Sequence, residues 1–513
     1  MAVQKIKQNL PLRRCGQALA ASFLIAIGGL QALPMYAQSA LPTLGDGLAL
    51  TTSAERRIGD SIIRELYRDP DYIDDAPLQE YVQGIFDQLV QAARARGELT
   101  PELQERFAWH ILLGRDRSVN AFALPGGYMG VHLGLIGVVT SRDELASVLA
   151  HELSHVTQRH IARLIAQQQR STPLMIGAMV LGALAASKSP NAGQALMVGG
   201  QALAVQNQLN FSRDMEREAD RVGYSLMQPA GFAPQGFVSM FDKLQQANRL
   251  NDNGSWPYLR SHPLTTERMA DMHARLPTAL AQAPSPLPTL EHAMLAARAR
   301  VLARPGVDLL RQWMAEPQST GFASRAPTEK IAAWYAAALV HAQAGEWAGA
   351  ERNLEQLRAA SAGHAGAARQ VRLLAAEIAL QAGKPEQVAA LLASPSRARP
   401  ELLLRSQAAL RLEQGAEVTG ALETWLVEHP QDATLWQLLA QAWQQQGQRL
   451  RAIRAEAEAQ VAHYDYAAAI DRFKAGQDLA RQSSAAADYI EASIIDTRLR
   501  AVQSLAREQA LER

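Results

Sequence analysis

The sequence predicts a mainly α protein in two parts: an α+β domain with one small sheet, built around a helix that carries H-E-x-x-H, and then an α-solenoid of helical hairpins. Three observations predict this. His151 and His155 stand four apart with Glu152 between them, inside a run whose apolar residues recur at helical spacing. Short β-type runs lie just upstream, punctuated by Pro125-Gly126-Gly127. Beyond residue 285 the chain turns to alanine, leucine and glutamine, with Gly345, Gly383, Gly415 and Gly447 spaced 38, 32 and 32 residues apart.

At 513 residues, 48% hydrophobic and 20% charged, the chain has the composition of a globular protein of two or three domains. Aromatics are only 6% and alanine is abundant, which favours helix over sheet. A formal charge of +1 leaves no basic footprint for nucleic acid.

Residues 1–37 have the layout of a secretory leader. Lys5, Lys7, Arg13 and Arg14 precede an apolar run over 19–33, and the small residues Ala37 and Ala40 offer cleavage points. The run is shorter than the roughly 20 residues a membrane span needs. Its removal takes four basic residues and no acidic ones, moving the charge from +1 to −3. The single cysteine, Cys15, leaves with it, so the mature chain is expected to be exported yet free of disulfides and thiolate ligands.

The first helices follow from Ile58, Ile62, Ile63 and Leu66, then Leu78, Val82, Ile85 and Leu89, separated by an Asp69-Pro70-Asp71 turn. Residues 107–113, 121–124 and 128–131 read as strands, and such a sheet offers a free edge to an extended peptide backbone. Ser141-Arg142-Asp143-Glu144 reads as a capping box that opens the motif helix, with Leu145, Val148, Leu149, Leu153 and Val156 on its buried side. Residues four apart share a helical face, so His151 and His155 can offer nitrogens to one cation, with Glu152 one step round. Two histidines facing an interior need partners, and a metal ion satisfies both.

An apolar, glycine- and methionine-rich stretch over 174–186, echoed at 195–205, is too short to span a bilayer and is expected to form a hairpin over the site; peripheral membrane contact is the alternative. The next helix, 212–227, has an apolar stripe of Met215, Ala219, Val222 and Leu226. Glu216 and Asp220 flank that stripe one turn apart, whereas Glu218 projects from nearly the opposite side. Glu216 is therefore the candidate third ligand, and Asp220 the candidate acceptor for the far nitrogen of a ligand histidine. Ser261-His262-Pro263 then places a histidine on a turn before another helix.

Past Pro284, Pro286 and Pro288, Trp334, Ala338, Gly345, Ala350 and Leu354 follow the tetratricopeptide order of large, small, glycine, small, large; Trp436, Ala440, Gly447 and Ala452 repeat it. Tyr464, Ala469 and Phe473 suggest one more hairpin. Small residues let paired helices approach, and stacking hides faces that one repeat leaves open.

His151-Glu152-x-x-His155, Glu216-Arg217-Glu218-Ala219-Asp220 and Ser261-His262-Pro263 with Arg268 together resemble the zinc metallopeptidase family that includes the CAAX prenyl proteases. The leader and repeats are similar to those of its periplasmic members that work on outer-membrane protein biogenesis. The resemblance implies one Zn²⁺ per chain held by His151, His155 and Glu216, Glu152 as catalytic base, and Asp220 behind the ligands. It implies that Asn120 lies near the substrate backbone, and that His262 and Arg268 lie on the oxyanion side, with His262 able to approach the metal and restrain activity. It further implies a leader over 1–37, a peptidase domain over 38–285 and repeats over 286–513. The implied partners are unfolded or misassembled outer-membrane proteins and, through the repeats, the β-barrel assembly machinery, with no nucleic acid. The competing reading is a repeat-based chaperone or scaffold in which proteolysis is secondary.

Overall fold

The computed structural model describes residues 50–167, 212–249, 255–282, 288–393, 396–482 and 486–511. The expected leader and the hairpin expected over 174–205 lie outside them. Helix α1 (Thr52–Leu66) and α2 (Ala76–Ala95) start on the side-chain caps Thr51 and Asp75, and α3 (Pro101–Arg106) follows. The sheet runs β1 (His110–Gly114), β2 (Ala121–Leu124), β3 (Tyr128–His132), in the order β1-β3-β2. β1 is parallel to β3 with His110 opposite Tyr128, and β2 is antiparallel with Ala121 opposite Val131. β1 begins three residues later than the sequence suggests because Trp109 adopts a left-handed φ of 48°, which ends extended backbone there.

After α4 (Leu133–Val138), the motif helix α5 (Arg142–Thr157) is wrapped by apolar neighbours, and α6 (His160–Gln167) continues from it. The Ser141 hydroxyl caps α5 by accepting from the Glu144 amide, but the Glu144 carboxylate accepts from the Thr140 amide at 2.7 Å, one residue before the expected partner, and also binds Lys243. Helix α7 (Arg213–Met227) packs along α5, as does α8 (Gln235–Arg249); the short α9 (Tyr258–Ser261), α10 (Thr266–Arg275) and α11 (Thr278–Gln282) complete this half. Gly223 sits where α7 meets α5: a Cβ there would lie 3.0 Å from the Ala150 carbonyl and the His151 amide.

Helix α12 (Leu290–Leu302) serves two cores. Leu295 and Ala299 join the cluster around α5, while Met294, Ala297 and Val301 join that of the following helices, so the proline-marked position 285 precedes a shared helix. After α13 (Val307–Ala315), antiparallel hairpins follow: α14 (Pro327–Gln343) with α15 (Trp347–Ala360), α16 (Ala365–Gln381) with α17 (Glu386–Leu391), α18 (Arg399–Arg411) with α19 (Gly415–Glu428), α20 (Ala433–Gln445) with α21 (Arg449–Ala462), and α22 (Tyr466–Ala480) with α23 (Ala486–Leu511). The left-handed residue closing the first helix is Gly345, Gly383 or Gly447 in three of them, but Glu413, not Gly415, in the third hairpin. Gly415 instead opens α19, where a Cβ would lie 2.7 Å from Gln445 Oε1 and 3.0 Å from Ala442 Cα.

Three arginines join this half to the sheet-bearing half, each holding a carboxylate from either side. Arg298 binds Asp75 at 2.6 Å and Glu377 at 2.7 Å. Arg369 binds Glu80 and Glu401, both at 2.6 Å, and Arg399 binds Asp74 and Asp432, both at 2.7 Å. Among the described residues no helix is long and apolar enough to cross a membrane.

Candidate metal centre

Helical phase brings the motif side chains to one buried point. α5 supplies His151, Glu152 and His155, the facing side of α7 supplies Glu216 and Asp220, and His262 ends α9 with its ring turned inward; all are buried. One ligand atom from each of His151, His155, Glu216 and His262 can be chosen so that all four lie within 4.8 Å of one another. His155 Nε2 is 3.0 Å from His151 Nε2, which is 3.3 Å from His262 Nδ1. Glu216 Oε1 is 3.0 Å from His262 Nδ1 and 3.4 Å from His155 Nε2, and its Oε2 is 3.4 Å from His151 Nε2. A tetrahedral cation with bonds of about 2.0 Å to each ligand has edges of about 3.3 Å, close to these spacings. Three imidazole nitrogens and a carboxylate thus converge on one buried point. The donor set fits a divalent cation such as zinc.

The electrostatics agree. Burial opposes charge on His151, but the Asp220 and Glu216 carboxylates outweigh it and lift the imidazole to about 9. That is the positive charge two buried carboxylates demand, and a metal ion supplies the same. Burial, reinforced by His151, pushes His155 well below the ordinary histidine value, leaving it neutral as a ligand must be. Burial works to raise Glu216, but His262 and His151 hold it well below the carboxylate range. Asp220 is likewise lowered, since the Arg268 fork outweighs burial. Glu152 goes the other way: burial raises it. Its Oε2 accepts from the Ala123 amide of β2 at 2.9 Å, and its Oε1 is 3.3 Å from His262 Nε2.

Asp220 Oδ1 lies 2.9 Å behind the cluster from His151 Nδ1. Arg268 sits beside the two acids of α7. Its guanidinium grips Asp220 at 2.6 and 2.8 Å, donates to the Pro263 carbonyl at 2.9 Å and reaches Glu216 Oε2 at 2.9 Å. It holds the two buried carboxylates in place, because they attract its charge. Asn120 lies just before β2, three residues from the amide that holds Glu152, and its carbonyl accepts from the His132 amide. Sequence reasoning missed His160, which meets His155, and the partner it finds in Glu218; the signal was a third histidine five residues after His155.

The sequence model of peptidase family M48 matches residues 78–276. A β-barrel assembly-enhancing protease of Escherichia coli is 31% identical over 458 residues, covering 87% of this chain and 89% of its own. That of Yersinia pestis is 32% identical over 430 residues, 82% of this chain and 84% of its own. A Vibrio cholerae relative at 35% identity is spanned over 65% of its length. A Saccharomyces cerevisiae mitochondrial metalloendopeptidase is 28% identical over 208 residues, 40% of this chain and 57% of its own. The match to the M48 model over the metal cluster and the relatives' coverage of both halves lead to one assignment: this chain is a metallopeptidase and belongs to the β-barrel assembly-enhancing protease family.

Proposed function

We propose that the chain is a zinc-dependent endopeptidase of the periplasm that acts in assembly and quality control of outer-membrane β-barrels, hydrolysing misassembled precursors recruited through its tetratricopeptide-like half. The observation that carries the chemistry is the set of 3.0–3.4 Å spacings among His151, His155, Glu216 and His262. The secretory layout of residues 1–37 and the relatives' names support the setting. A cavity of about 760 Å³ between α2 and the repeats, walled by Tyr72, Trp425, Asp74, Asp87 and Glu428, supports docking of an unfolded segment.

His151, His155 and Glu216 would hold the zinc ion, with Asp220 orienting His151 and Arg268 fixing both acids. Zinc supplies a Lewis acid that lowers the pKa of water towards neutrality and polarises a carbonyl. Glu152, raised by burial and aimed by the Ala123 amide, takes the proton from the attacking water and delivers it to the leaving amine as the C–N bond breaks, giving a carboxylate and a new amino terminus. The outer edge of β2, which pairs with no other strand among the described residues and begins beside Asn120, aligns the substrate backbone. His262 is the brake: its ring lies against Glu152 and Glu216, where it would compete with water for a bound cation, so it must withdraw before water and substrate enter.

The test is zinc analysis and digestion of casein by the parent and Glu152→Gln. The variant should retain one zinc per chain and lose at least about a hundredfold in hydrolysis, the scale of general-base removal. Full hydrolysis by the variant would sink the mechanism. Restoration of outer-membrane integrity by the inactive variant would favour the scaffold reading.

A further inference from the structure

The imidazoles of α5 are backed by different means. His151 faces the Asp220 carboxylate directly. His155 instead turns its Nδ1 to Nδ1 of His160 at 2.9 Å, and His160 turns its Nε2 to Glu218 Oε2 at 3.0 Å. Arg163 holds the same Glu218 oxygen at 2.9 Å. His160 is fully buried although it lies only three residues beyond the end of α5, and the backbone explains how. Arg159 adopts φ 52°, a left-handed turn that opens α6 with the His160 ring folded back on His155. The Arg159 side chain fastens that turn by binding Glu55 at 3.1 Å and the Leu50 carbonyl.

Counting protons along this chain leaves one arrangement of neutral rings. If Nε2 of His155 is given to a metal, its only N–H is at Nδ1 and must donate. Nδ1 of His160 must then accept, which puts the His160 proton at Nε2, aimed at the Glu218 carboxylate. Each contact in the series then has one donor and one acceptor. A metal-bound histidine is characteristically backed by an acceptor that fixes its tautomer and raises its basicity. Here the acceptor is another imidazole, and Glu218, on the far side of α7 from Glu216, is the carboxylate behind it.

We propose that His160 is a positioning residue for the metal ligand His155, transmitting the Glu218 carboxylate to its Nδ1; this rests on reading His155 as a zinc ligand. A histidine that merely filled the core would be replaceable by any side chain of similar bulk. His160→Leu keeps bulk and removes the acceptor, whereas His160→Asn places an amide oxygen near the position of Nδ1.

The experiment is zinc binding to the full chain by competition with a chromophoric chelator, alongside melting temperatures measured in excess chelator. His160→Leu should bind zinc 10- to 100-fold more weakly, the range for lost partners of this kind. His160→Asn should recover to within about threefold of the parent, and Glu218→Gln should fall between the two. Both His160 variants should melt near the parent in chelator, because the loss belongs to the zinc-bound state. Equal zinc affinity in His160→Leu and the parent overturns the proposal, as does an asparagine variant that folds like the parent but binds no better than the leucine one. Should His160→Leu not fold, an unchanged affinity in Glu218→Gln overturns it. A parent chain that binds no zinc would instead overturn the reading of the site.

Discussion

Gly223→Ala should weaken zinc binding although the residue touches no ligand. In a helix interior this exchange ordinarily stabilises by about 1 kcal/mol. Here the added Cβ would lie 3.0 Å from Ala150 C and O and from His151 N, backbone atoms that cannot swing away. Comfortable carbon contacts are about 3.5–4.0 Å, so α7 must retreat from α5 by roughly 0.5 Å or more. Glu216 and Asp220 are carried on that helix, seven and three residues back, and metal–ligand distances tolerate only about 0.2 Å. The protein relieves overpacking strain of about 1–3 kcal/mol by letting the helices part, and zinc must reimpose it to close the site. Zinc affinity should therefore fall by the same amount, roughly 5- to 150-fold. The measurement is chelator competition on the purified chain, with Gly84→Ala in α2 as the control, since a Cβ there meets nothing within 4 Å. Zinc affinity within twofold of the parent in Gly223→Ala would refute the idea that helix approach sets the ligand spacing.

His262→Ala should raise self-cleavage and casein digestion at unchanged zinc content, because the ring now 3.3 Å from Glu152 would no longer stand where water must enter. If His262 serves the oxyanion instead, turnover should drop by about 10²–10³, so the sign of the change decides. The seam that Arg298, Arg369 and Arg399 make between the two halves should loosen in acid. Burial raises Asp74, but Arg399 and the Thr434 hydroxyl outweigh it and hold the carboxyl below the ordinary carboxylate range. A depressed folded-state value contributes stability fully above the unfolded value and loses it as pH falls through the folded one. Protection of the α2–α18 junction from proteolysis should therefore decline below about pH 4 in the parent, and Asp74→Asn should be less protected at pH 7 with a flatter acid limb. An unchanged acid limb in that variant would remove Asp74 from the seam's pH response.

What the sequence determined by itself was everything set by a helical or extended repeat within one element. The four-residue spacing of His151 and His155, and of Glu216 and Asp220, fixes which side chains share a face; Ser141 and Ser212 fix where two of those helices begin. The three strands and the hairpin helices follow from the same local preferences. The third hairpin shows the limit, since a glycine in the sequence marks either a left-handed residue or a close approach, and Glu413 took the first role while Gly415 took the second. Tertiary structure alone decided contacts between residues far apart in the chain. His262 reaches His151 across 111 residues and Glu216 across 46, and Arg268 reaches Asp220 across 48. His160 meets His155 over only five residues, yet the meeting depends on a left-handed Arg159 held by Glu55, 104 residues away. No periodicity encodes such encounters. They follow from how closely α7 can approach α5, from the two-faced α12 joining the halves, and from the need of each buried charge to find a partner.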